Sequence, residues 1–131
     1  MGWLQERLGY RGLFLANHGI AWVCYGIGVI LDPAFGTKRG LGWMVHILPF
    51  DGLGWLWILC GLASVVYAPL RRPGADAWGF FFILFPPTLW GLAYLLGIPA
   101  YARGGFSAIV WISTAISVVI VALMPEPKEA A

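Results

Sequence analysis

The chain has 131 residues, 60% of them hydrophobic and 11% charged, with a net charge of +2. Soluble domains carry about 25% charged residues, so this chain lacks the polar coat that water requires. A net charge this small does not point to a nucleic-acid-binding surface.

The charged residues cluster and leave four charge-free runs: Leu13 to Leu31, Leu53 to Leu70, Ala77 to Ala102 and Gly104 to Pro125. A spanning helix needs roughly 20 mostly apolar residues. The sequence therefore predicts one all-α transmembrane domain, residues 1–131, an integral membrane four-helix bundle with spans at about 12–31, 52–69, 77–98 and 106–124. Strands are excluded because a transmembrane barrel needs at least eight of them, with alternating polarity.

The first run is too long for a signal-peptide core of about 7–15 residues and no small-residue cleavage site follows it, so it reads as a retained span. After it, DPAFGTKRGLG (Asp32 to Gly42) is rich in turn residues. WMVHILPFDG (Trp43 to Gly52) is apolar but too short to span, so residues 43–50 are expected to lie in the membrane interface. Its polar or amphipathic residues Trp43, His46 and Asp51 are candidate outer contacts.

Orientation follows the Lys and Arg near span ends. Arg7, Arg11, Arg71, Arg72 and Lys128 share one side, against Lys38, Arg39 and Arg103 on the other. The bias places both termini in the cytoplasm. Trp3 and Trp78 then fall at the inner interface, with Trp43, Trp55 and Trp111 near the outer one, where an indole finds both an apolar and a hydrogen-bonding neighbour. Trp22 and Trp90 lie deeper and read as packing residues. A weak internal echo, GIAW (Gly19 to Trp22) against GLAY (Gly91 to Tyr94), is compatible with two parallel helical hairpins.

The third span contains FFILFPPTLWG, Phe81 to Gly91. Pro86 and Pro87 have no N–H, so the carbonyls of Phe82 and Ile83 lose their helical donors and the helix is expected to kink. An unsatisfied carbonyl in hydrocarbon costs several kcal/mol. By helix rise, Asn17 and His18 of span one, Ser64 of span two and Ser117 of span four lie at a similar depth. Asn17, His18, Ser117 and the Thr88 hydroxyl are the expected donors, or the holders of a bound water. The same layer with its proline hinge is also the candidate site for an ion or solute, with His18 able to titrate near neutral pH. Small-xxx-small pairs occur at Ser64/Ala68, Ala93/Gly97 and Ser113/Ser117, spacings that let helix backbones approach within a bundle or between copies.

Reactive constellations do not form. Cys24 and Cys60 share a depth but no C-x-x-C exists, and they read as small apolar residues rather than a bridge. His18 and His46 should stand ~25–30 Å apart and cannot share one metal. GIG at Gly26 to Gly28 lacks the helix pattern and acid of a nucleotide site. Asp32, Asp51 and Asp76 all sit at span ends, unlike the mid-membrane carboxylate of proton-coupled transporters. No catalysis, cofactor or metal is expected.

RGLFLANHGIAWVCYGIGVIL, the aromatic outer loop, RRPGADAWGFFFILFPPTLWGLAYL and the MPEPKE tail together resemble small four-span membrane proteins of actinobacteria and of their phages and prophages. Some of the phage examples are labelled holins. The resemblance implies a non-enzymatic protein that self-associates in the inner membrane and opens it. The residues alone leave two alternatives: a membrane subunit or anchor for a protein partner, and a small channel or transporter using the polar layer. The expected partners are the lipid bilayer and further copies of the chain.

Overall fold

The computed structural model describes residues 2–70, 72 and 74–125. Arg71 and Lys128, which contribute to the orientation bias, and the tail beyond Pro125 lie outside the described residues. The helices are α1 (Gly2–Leu31), α2 (Phe35–Gly40), α3 (Phe50–Tyr67), α4 (Ala77–Leu96) and α5 (Gly104–Leu123), with a 3-10 turn at Met44–His46. No strand occurs among the described residues. Helices α1, α3, α4 and α5 are long and apolar enough to cross a membrane. The last three have 18, 20 and 20 residues, about 27–30 Å by helix rise, which matches a hydrocarbon core about 30 Å thick. The chain is a small multi-pass integral membrane protein.

Helix α1 begins ten residues before the expected span. Gly9 interrupts it with φ 69° and ψ 175°, a backbone region open essentially to glycine alone. The segment before this break is exposed, and the Arg7 guanidinium lies 5.2 Å from the centre of the Trp3 ring. Beyond it, α1 packs antiparallel on α3 through a register that repeats every seven residues. Gly12 meets Ala68, Gly19 meets Gly61 and Gly26 meets Gly54. A seven-residue period keeps these positions on one face of a left-handed helix pair. Without a Cβ the two backbones touch, gaining dispersion and Cα–H···O contacts that lipid cannot replace. A Cβ on Gly19 would stand 2.7 Å from the Gly61 carbonyl oxygen, and one on Gly26 2.5 Å from that of Gly54. The buried Ser64 hydroxyl donates to the Leu15 carbonyl at 3.1 Å in the same contact.

Helix α4 packs on α5 in a second antiparallel hairpin, with Gly91 against Ile112, and α3 packs on α4 to join the two. Gly19 and Gly91, the first residues of the echoed motifs, each face the partner helix of their own hairpin. Helices α1 and α5 share little backbone contact. Aromatic rings bridge them midway, and Arg11 bridges them at one end. Arg11 Nε donates to Asp76 Oδ2 at 2.6 Å, and its Nη1 donates to the carbonyls of Ala122 and Met124 at 2.7 and 2.8 Å. One guanidinium thus ties α1 to the start of α4 and satisfies carbonyls at the end of α5, where a cation also complements the helix dipole.

The loop after α1 differs from the sequence expectation. Residues 35–40 form a helix where turns were expected, and Leu41 and Met44 are buried in the protein core while Trp43, Ile47 and Leu48 face outward. A six-residue helix is not stable alone. It is held by contacts with α4: Thr37 Oγ1 accepts from Tyr94 Oη at 3.2 Å, Gly40 packs on the Tyr94 ring, and Gly97 abuts the Gly40 carbonyl.

Candidate functional site

The core is aromatic, and all four spans build it. Trp22 and Tyr25 come from α1, Trp57 from α3, Trp90 from α4 and Trp111 from α5. Trp57 is the hub, with 0% exposure. Its ring centre lies 5.0 Å from Trp22, 4.5 Å from Tyr25, 5.1 Å from Trp90 and 5.1 Å from Trp111. Trp22 and Trp90 stand at 88° and 87° to it, the edge-to-face arrangement that ring quadrupoles favour. Trp57 Nε1 is buried without an oxygen acceptor. Trp111, expected near the outer interface, is half-buried and packs against this core.

Polar tips of the cluster are spent on neighbouring helices. Trp90 Nε1 donates to Tyr25 Oη at 3.0 Å. Trp22 Nε1 donates to the Ile83 carbonyl at 3.0 Å. That carbonyl is one of the two that the prolines leave without a helical donor, so the requirement read from Pro87 is met from span one. The donor is an indole, not the expected Asn17 amide, His18 imidazole or Ser117 and Thr88 hydroxyls. Replacing Trp22 by Phe keeps most of the ring and removes this donor. Trp22→Phe should lower stability by about 1–3 kcal/mol, the cost of a buried acceptor left unmet, measured by unfolding in mixed micelles. A change within 0.5 kcal/mol, about the background for an uncoupled substitution, would separate the carbonyl from the stability of the fold.

The sequence-selected polar residues are not brought together. Pro86 and Pro87 are buried within the continuous helix α4. His18 is half-buried, with Nδ1 3.1 Å from the Phe14 carbonyl and its ring against Phe14 and Trp22 at 4.0 and 5.4 Å. Ser64 serves α1, as described above. Thr88 and Ser117 are exposed and donate back to their own helices, to Leu84 at 2.8 Å and Ser113 at 2.9 Å. Asn17 faces outward from α1. The reason is angular: similar depth does not put side chains on facing helix surfaces. Of the outer candidates, Trp43 Nε1 donates to the Ala93 carbonyl at 3.2 Å, whereas His46 and Asp51 are exposed. Asp51 sits in the first turn of α3, where a carboxylate complements the helix dipole. Cys24 is exposed, Cys60 is buried, and both are free thiols.

Nothing local in the sequence marks Trp57 as the hub of the core or Arg11 as a bridge between spans. A readable signal existed for the glycine register: small residues at 12, 19 and 26, and again at 54, 61 and 68. Compared with known proteins, the chain matches no family model, no curated protein and no solved structure.

Proposed function

We propose that this is a non-enzymatic membrane protein that self-associates in the plasma membrane and acts in a holin-like way, opening the bilayer through assembly of copies. One observation carries the reading. Ring packing occupies the middle of the bundle, while small and polar residues of the spans, Asn17, Ser113 and Ser117, point outward. Polar groups that face hydrocarbon favour partners of their own kind. On this reading a polar path belongs to an assembly, and the kink expected at Pro86–Pro87 is the hinge by which spans rearrange. The termini are cytoplasmic in this arrangement.

The test is inducible expression in a bacterium, with membrane potential and culture density followed together. The expected result is abrupt depolarisation after a delay, abolished by Pro86→Ala with Pro87→Ala at equal protein level. Steady growth at high expression overturns the holin-like role. A second reading, a subunit or anchor of a larger assembly, is favoured by the exposed apolar Trp43, Ile47 and Leu48 at the end of the loop. Stoichiometric co-purification of a partner through that surface would support it.

A further inference from the structure

The outward face of α1 carries a second seven-residue pattern, distinct from the glycine face that holds α3. Leu13, Asn17, Ile20, Cys24, Ile27 and Leu31 alternate by four and three residues along it. Leu13 is half-buried and the other five are exposed. In heptad terms Asn17, Cys24 and Leu31 occupy one seam position, and Leu13, Ile20 and Ile27 the other. Beside the seam, Gly28 has open space around the place of a Cβ, so nothing within the protomer blocks close approach.

We infer that this face is a seam between two copies of the chain, with α1 packed against α1 in parallel about a two-fold axis along the membrane normal. The inference rests on the self-association proposed above and names its surface. Asn17 supplies the argument for the occupant. It lies six residues inside Arg11, about 9 Å along the axis, too deep for so short a side chain to reach the headgroups. Its amide has no hydrogen-bond partner among the described residues. In hydrocarbon such a group must find one in another protein. An amide is both donor and acceptor, so Asn17 of a second copy across a two-fold axis is complementary to it. All copies inserted with one topology present α1 in the same direction, which brings equal heptad positions face to face. A single Asn at such a position also sets register and oligomer state. On the other outward polar span, α5, Thr114 and Ser117 donate to carbonyls of their own helix at 2.9 Å each, and the exposed Ser113 presents one hydroxyl, a smaller demand than the two donors and the carbonyl oxygen of an amide.

The same register stacks Cys24 on Cys24, one heptad from Asn17, while the second thiol of each copy, Cys60, is buried. Oxidation of the full-length protein in membrane vesicles with copper phenanthroline should therefore yield a reducible dimer. The dimer should persist in Cys60→Ser and vanish in Cys24→Ser. Asn17→Leu should lower its yield at limiting protein density about threefold to tenfold, and Asn17→Gln should retain it. Ile116→Cys in a Cys24→Ser background, on the exposed face of α5, reports random collision. Equal crosslinking at positions 24 and 116, or unchanged yield in Asn17→Leu, overturns the seam. If Cys24 does not crosslink while fluorescence energy transfer in liposomes reports oligomers, the seam is wrong and self-association stands. If energy transfer also reports monomers at high protein density, both fall.

Discussion

Trp57→Ala should cost about 3–5 kcal/mol of folding stability, the range for deleting a fully buried large aromatic side chain. The size follows from its place. Four rings from the other three spans lean on this indole at 4.5–5.1 Å, so its removal opens a space that no single helix can fill by shifting. Each edge-to-face neighbour adds about 0.5–1.5 kcal/mol beyond area burial. Trp57→Phe should cost less than half as much, because it keeps a ring and removes an indole N–H that has no oxygen acceptor. Equilibrium unfolding in mixed micelles would measure both. A loss of less than about 1 kcal/mol for Trp57→Ala, the scale of an average substitution, would mean that the bundle does not rest on this ring.

Gly61→Val and Gly19→Val should each destabilise by about 3 kcal/mol, the upper range for overpacking a close contact. The obstacle is backbone, not a side chain that can rotate away. A Cβ at Gly61 would come within 2.9 Å of the Val23 amide nitrogen and strike the Gly19 carbonyl. Relief requires α1 and α3 to separate, which lengthens the Gly12–Ala68 and Gly26–Gly54 contacts as well. Gly28→Ala is the internal control. Its Cβ would meet nothing within 4 Å, and alanine favours a helix over glycine by about 1 kcal/mol. Thermal unfolding should therefore rank Gly28→Ala at or above the unmodified protein and Gly61→Val far below it. Similar values for the two would show that the heptad glycines are not the contact that fixes the hairpin.

The number of helices long and apolar enough to span was legible because it depends on solvent. Charge-free runs such as Ala77 to Ala102 cannot stay in water, and a bilayer sets their length. The need to serve a proline-freed carbonyl was legible too, since the missing N–H is covalent chemistry. Its donor was not legible. Depth along an axis can be counted in residues, but the rotation of each helix about that axis cannot. Thr88 and Ser117 therefore looked like cross-helix donors and bond within their own helices, while Trp22 looked like packing and holds Ile83.

By itself the sequence determined that this chain belongs in a membrane and has four helices long and apolar enough to cross it, because hydropathy and charge position are local properties. Tertiary structure alone decided which faces meet. It turned Gly12, Gly19 and Gly26 toward α3, gathered four tryptophans and Tyr25 from all four spans into one core, folded the six residues of α2 onto Tyr94, and left Asn17 looking outward. In an apolar solvent burial of apolar surface discriminates little between faces, so shape fit and a few hydrogen bonds choose among them, and those exist only once the helices are side by side.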